Sequence, residues 1–209
     1  MSARSWSVAG VIPAAGASRR MGRPKAFLEI GGHTFVQRVV RSLADGGCDP
    51  VYVVVEGGDR AAEGEAAAAG ARVLSNPDPG EGPITSFRLA LAAMDEDTDG
   101  VVYLPLDHAL VEPRHVARLL EEAHTAEAPL ALPVHRGKRG HPAFFARSLF
   151  DELSDPGLEG GARTVVHRYL DRARLLPTDD PAVVVDIDTP EAYEKALALY
   201  EAAMAQESA

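Results

Sequence analysis

Four short apolar runs punctuate the chain: Val8 to Ile12, Val51 to Val55, Gly100 to Leu106 and Val183 to Ile187. Each is rich in β-branched residues, is bounded by Gly, Pro or Asp, and shows little polar alternation. That pattern predicts short strands buried on both faces, as in a parallel sheet. Between the runs, apolar positions recur at helical spacing. Phe35, Val36, Val39, Val40 and Leu43 make one face, and Thr34 with Gln37 three residues later is spaced as a capping box. Val116, Leu119, Leu120 and Ala123 make a second face, and Pro83 to Met94 reads as a third helix. The Ala-rich piece from Ala61 to Ala69 reads as a surface helix. The last helix is predicted from Thr189, with Pro190 as its first helical residue, burying Tyr193, Ala196, Leu197, Tyr200 and Met204. Pro129 to Val134 and His141 to Phe145, joined by HRGKRG, break this rhythm and predict a hairpin or mixed-sheet insertion.

Strands alternating with helices predict an α/β fold: a Rossmann-like, doubly wound, mostly parallel but mixed sheet flanked by helices, expected to form one domain over residues 1–209. In such sheets ligands bind beyond the carboxyl ends of the strands, where the strand order reverses. Every chemically distinctive cluster in this sequence follows one of the predicted strands.

Charge narrows the partners. With 21 Lys plus Arg against 31 Asp plus Glu, the formal net charge is −10. A general nucleic-acid binder needs a basic face to displace counterions, so nucleic acid is not expected as a partner and any polyanion must be met locally. The single cysteine, Cys48, cannot form an internal disulfide and reads as a small, partly buried thiol. The first apolar run contains Gly10 and Pro13 and is followed by Arg19 and Arg20, unlike a secretory signal, and no apolar segment has transmembrane length. A cytoplasmic location without a membrane partner is the expectation.

The local exception to the acidic character is IPAAGASRRMGRPK, residues 12–25. Gly16 and its small neighbours allow backbone N–H groups to approach a ligand closely, while Arg19, Arg20, Arg23 and Lys25 add donors suited to phosphate oxygens. The loop is not a Walker A loop, because Gly22 is followed by Arg23, Pro24 and Lys25, and it is not GxGxxG. Basic residues after a strand also make ordinary solvated turns, so the residues alone leave both readings open.

These residues resemble the signature of nucleotidyltransferases that activate a small molecule with a nucleoside triphosphate; Gly16, Ser18, Arg20, Met21, Gly22 and Lys25 match it in order. Four later segments, LSNPDPGEGPITSFRLAL, LPLDHALVEP, RGHPAFF and VDIDTPEAY, are similar to motifs of the molybdenum-cofactor cytidylyltransferase branch of the MobA-like NTP transferase family. Pro83, Ile84, Thr85 and Ala90, and likewise His108 and Ala109, stand where that branch commonly has other residues.

The resemblance implies transfer of a nucleoside monophosphate to a phosphorylated acceptor, with release of pyrophosphate. It implies catalytic roles for Arg20, Lys25 and Asp107, and nucleotide contacts from Ala14, Ala15, Gly16, Ser18, Arg20, Lys25, Ser86 and Arg88. Asp107, Asp186 and Asp188 would hold Mg²⁺, with Mn²⁺ as the alternative; Asp188, next to Thr189 and Pro190, also suits a helix start. His108 and His141 would face the acceptor. Ala14-Ala15-Gly16 resembles the cytidylyl rather than the guanylyl pattern and favours CTP. Molybdopterin is the first acceptor implied, with contact to an acceptor molybdoenzyme or its chaperone. A sugar phosphate, phospholactate or an isoprenoid-precursor phosphate are the alternatives. A reading from a different class is a catalytically idle nucleotide-binding protein, against which the retention of Lys25, Arg20, Asp107 and Asp186 speaks.

Overall fold

The computed structural model describes residues 6–16, 21 and 24–207. In chain order the strands are β1 (Val8–Pro13), β2 (Glu29–Ile30), β3 (His33–Thr34), β4 (Val51–Glu56), β5 (Arg72–Asn76), β6 (Gly100–Tyr103), β7 (Leu130–His135), β8 (Lys138–Arg139), β9 (Ala143–Ala146) and β10 (Arg174–Pro177). The α-helices are α1 (Phe35–Asp45), α2 (Arg60–Ala68), α3 (Pro83–Ala92), α4 (Pro113–Thr125), α5 (Phe150–Ser154), α6 (Ala162–Arg168) and α7 (Pro190–Glu207).

Among the described residues the main sheet runs β10-β7-β9-β6-β1-β4-β5, with β8 hydrogen-bonded to β7. The pairs β1–β4, β1–β6, β4–β5 and β7–β10 are parallel, whereas β9 lies antiparallel between β6 and β7. This is the mixed, doubly wound α/β sheet that the sequence predicts. From β1 the chain builds outward through β4 to β5, then returns to the other side of β1 as β6. The order therefore reverses between β1 and β6, and their carboxyl ends open the crevice in which this architecture places ligands.

Strand residues alternate between two cores. Val51, Val53 and Val55 of β4 join the layer formed with α1, α2, α4 and α7, while Tyr52 and Val54 join the layer under α3, α5 and α6. Burial on both faces explains why the strand sequences carry no polar alternation. The α1 capping box forms as spaced: Thr34 Oγ1 accepts from Gln37 N, and Gln37 Oε1 accepts from Thr34 N. Such a cap stabilises a helix by about 1 kcal/mol. Thr189 likewise caps α7, its Oγ1 accepting from Ala192 N, and α7 buries Ala196 fully while Tyr193, Leu197 and Tyr200 pack half-buried against the core. Cys48 is buried outright rather than partly, and burial pushes its thiol up to about 12.

Two expectations need correction, and two strands had none. The run Val183 to Ile187 is not a strand: Pro181–Val184 forms a 3₁₀ turn, started by Asp180, whose carboxylate accepts from Ala182 N. The segment makes single backbone bonds to two different loops instead of a ladder, His141 N donating to Val183 O and Ile187 N to Asp107 O. The strand expected over Gly100 to Leu106 ends at Tyr103, because Leu104 N still reaches Val11 O but Pro105 has no N–H to continue. Strands β5 and β10 lie at opposite edges of the sheet with half-exposed, partly polar sequences, and so leave no apolar run to read. Among the described residues no helix is long and apolar enough to cross a membrane.

Candidate active site

The crevice at the β1/β6 switch point is a cleft of about 510 Å³. Pro13 to Gly16 leave β1 on one side, Pro105 to His108 leave β6 on the other, and Gly82, Pro83 and Ser86 bring in the start of α3. Lys25, His141, Asp186 and Asp188 complete it. The segments after β1, β5 and β6 meet because a doubly wound sheet directs its parallel strand ends to one edge, whereas Lys25, His141, Asp186 and Asp188 come in from turns and loops.

The acidic cluster is assembled by backbone contacts. The bond from Ile187 N to Asp107 O, 3.0 Å, pins the C-terminal segment against the loop after β6. On the other side of the same segment Gly140 packs so closely that a Cβ there would run into the Val183 carbonyl oxygen. The result is that Asp107, Asp186 and Asp188 each present a carboxylate oxygen within 4.8 Å of the others. Lys25 reaches into this group: its Nζ lies 3.5 Å from Asp107 Oδ2 and donates to Asp188 Oδ1. Burial pushes the Asp107 carboxyl up, the Lys25 ammonium pulls it back, and the negative charge of Asp188 adds to the rise. Three hard oxygen donors in one small volume suit Mg²⁺ or Mn²⁺, which take carboxylates together with phosphate oxygens and water.

The histidines expected to face the acceptor stand beside each other, ring centroids 4.5 Å apart. Burial lowers His108 to about 4, helped by the nearby Lys138 and Lys25 ammoniums, and lowers His141 to about 3, with His108 a smaller contributor. Both are therefore neutral near pH 7. The Nδ1 atom of each is buried without a hydrogen-bond partner among the described residues. Tyr103, in contact with His141 at 6.0 Å between centroids, has its phenol pushed up by burial and by the Asp107 carboxylate.

The other expected residues divide. Ala14, Ala15, Gly16 and Ser86 line the cleft. The Ala14 N–H is not available to an anion, since it donates to Val54 O at 2.8 Å and so extends the β1–β4 ladder. Arg88 does not line this cleft; its Nη2 donates to Asp155 O at 2.6 Å, away from Ser86. Ser18 and Arg20 lie outside the described residues, as do Arg19, Gly22 and Arg23. Asp188, for which the sequence also offered a helix-start role, is the carboxylate that Lys25 engages, while Asp186 is the more exposed of the two.

Two contributors had no role assigned from sequence. Asn76, at the end of β5, is buried and its Nδ2 donates to Thr85 Oγ1 and Ser86 Oγ, while its Oδ1 accepts from Asp78 N. It thereby fixes the loop and the hydroxyls that form the α3 side of the cleft; its position ahead of Pro77 inside a quoted motif was the available signal. Tyr103 read only as a strand residue, and nothing local distinguished it.

Comparisons with known proteins agree with this fold. Residues 10–175 match the model of the MobA-like NTP transferase domain. A probable molybdenum cofactor guanylyltransferase of Mycobacterium avium is 31% identical over 166 residues, covering 78% of this chain and 81% of that one. One from Opitutus terrae is 39% identical over 93 residues, 44% of each chain. The crystal structure of Rv0371c from Mycobacterium tuberculosis superposes with a TM-score of 0.82 at 26% identity, over 94% of this chain and all of the other. Its manganese complex does so at 0.77 and 26%, over 93% of this chain and all of that one.

Proposed function

The chain belongs to the MobA-like NTP transferase family, and from that premise we propose that it transfers CMP from CTP to the phosphate of a small organic acceptor in the cleft between β1 and β6. Nucleotidyl transfer to a phosphorylated small molecule is the activity that the family and the fold support. The observation that carries the reading is the Lys25 ammonium set among Asp107, Asp186 and Asp188 at the strand-order reversal.

In the reaction an acceptor phosphate oxygen forms a bond to the α-phosphorus while the bond to the leaving pyrophosphate breaks. Little covalent chemistry is asked of the protein; positioning and charge neutralisation do the work. Lys25 is placed to carry positive charge to the α-phosphate oxygens. Ser86 lines the wall opposite with its hydroxyl oriented by Asn76. Asp107, Asp186 and Asp188 would hold a divalent cation, which when bound supplies charge neutralisation to the phosphates. The small side chains of Ala14 and Ala15 leave room for close approach of the base, and their likeness to the cytidylyl pattern favours CTP. His108 and His141 face the acceptor side as neutral hydrogen-bonding groups.

The test is pyrophosphate release with CTP, GTP, ATP and UTP and Mg²⁺ against phosphorylated acceptors, headed by molybdopterin, which the sequence motifs imply. Release with CTP and one acceptor is the expected outcome. Release with GTP alone would overturn the choice of donor, and silence throughout with nucleotide still bound would overturn transfer itself.

A further inference from the structure

A second cavity, about 670 Å³, adjoins the cleft and shares Pro83, Tyr103 and His141 with it. A row of rings runs from one into the other: His108 to His141 at 4.5 Å, His141 to Tyr103 at 6.0 Å, Tyr103 to Phe87 at 4.8 Å, and Phe87 to Phe145 at 5.6 Å. Beyond the rings the walls are aliphatic, with Ile84, Leu132, Leu158 and Val166.

The charged side chains of this cavity have one sign, beside the polar rings of Tyr103, His141 and His167. No carboxylate, amide or aliphatic hydroxyl side chain lines it, whereas Arg88, Arg139 and Arg163 all do. None of the three is ion-paired with a carboxylate among the described residues. Arg88 spends Nη2 on the Asp155 carbonyl, and its Nε is buried without a partner. In a chain of net charge −10, with ten more acidic than basic side chains, three arginines without carboxylate partners around one apolar hollow are a local inversion of the surface.

We infer that this cavity holds the non-reacting body of the acceptor, and that this body is apolar and carries an acidic group of its own. The inference rests on the transfer reading for the reacting phosphate, which would lie at the shared wall of Tyr103 and His141, facing Asp107 and Lys25. Apolar walls reward burial of hydrocarbon at roughly 25 cal/mol per Å². Guanidinium groups match a carboxylate by paired N–H donors. A pterin's amino-oxo edge presents N–H donors beside its carbonyl and ring-nitrogen acceptors, and the cavity offers arginines for the acceptors but no side-chain carboxylate for the donors, so a carboxylate-bearing body matches the lining better. The acceptor class is therefore an aryl or alkyl phosphomonoester bearing a carboxylate.

The test uses four probes titrated calorimetrically in the presence of Mg²⁺ and the non-hydrolysable α,β-methylene analogue of CTP: 4-carboxyphenyl phosphate, phenyl phosphate, glycerol 3-phosphate and molybdopterin. The carboxylated aryl probe is expected to bind at least about tenfold more tightly than glycerol 3-phosphate, with phenyl phosphate between. The double variant Arg139→Gln/Arg163→Gln, at two exposed positions, is expected to cost roughly tenfold for the carboxylated probe and nothing for phenyl phosphate. Val166→Asp is expected to weaken both aryl probes and leave the CTP analogue unaffected, with its melting temperature as the check on folding. Glycerol 3-phosphate or molybdopterin binding more tightly than the aryl probes, or indifference of every probe to both variants, overturns the inference. Arginine-dependent binding of the carboxylated probe without pyrophosphate release from any acceptor would sink the transfer reading alone. Transfer to hydrophilic phosphates, unchanged in both variants, would sink the cavity assignment alone.

Discussion

Lys25 and Asp188, 163 residues apart in the chain, are hydrogen-bonded to each other, and the same ammonium stands 3.5 Å from Asp107. One cation therefore balances part of a three-carboxylate cluster. Lys25→Ala is expected to lower turnover by about 10²- to 10³-fold, the usual range for losing a group that neutralises developing charge. The lysine holds little core, so its melting temperature should fall by only a few degrees, and Mg²⁺ should restore the loss by taking over the charge. Turnover and stability falling together, without rescue by Mg²⁺, would contradict this.

Asp107, Asp186 and Asp188 should act as one cation site. Mn²⁺ titration followed by electron paramagnetic resonance is expected to show at least about tenfold weaker binding for each Asp→Asn variant. Asp180→Asn serves as the control, since Asp180 is committed to His115, Arg114 and Ala182 N. Unchanged Mn²⁺ affinity in all three cluster variants would remove the site.

Asn76→Ala removes the donor shared by Thr85 and Ser86 and the acceptor for Asp78 N. Leaving buried polar groups unsatisfied costs about 1–3 kcal/mol, so chemical denaturation should register a loss of that order. Because the asparagine positions Ser86 without reaching the reacting atoms, KM for CTP should rise several-fold with a smaller change in kcat. A stability loss with unaltered KM would reduce Asn76 to a purely structural role.

His108 and His141 give the pH dependence a sign. Both are held below the ordinary 6.5, at about 4 and about 3, because burial disfavours their charged forms. At pH 5 the unfolded chain binds two protons here that the folded chain does not. This contribution is fully present above about pH 6.5 and is lost as the pH falls toward 4 and below. The slope is up to about 1.4 kcal/mol per pH unit for each histidine. Urea unfolding between pH 7 and 5 should show a steeper decline for the wild type than for His108→Gln/His141→Gln. Parallel declines would mean that neither ring is held neutral.

The elements that read correctly from sequence are those whose cause is local. The β1 and β4 runs are apolar because both faces of a central parallel strand are covered, and the Thr34–Gln37 box closes within four residues. Val183 to Ile187 misled because an apolar run reports burial, not the partner that its backbone finds. Here the partners are the Gly140–His141 turn and Asp107, chosen by chain segments 42 or more residues away. Arg88 and Ser86 look like one motif in sequence, yet two positions on α3 turn their side chains toward different cavities.

The central strands β1 and β4, the capped helix α1 and the phosphate-suited residues after β1 follow from the amino-acid sequence by itself, since each depends on residue type at short range, while the three aspartates were implied by the resemblance of LPLDHALVEP and VDIDTPEAY to family motifs. Tertiary structure alone decided that Lys25 would sit among those aspartates, that Asn76 would hold Ser86, and that three arginines would ring a second, apolar cavity. Those relationships come from where the sheet reverses its strand order and from backbone contacts across the whole chain, which no local pattern encodes.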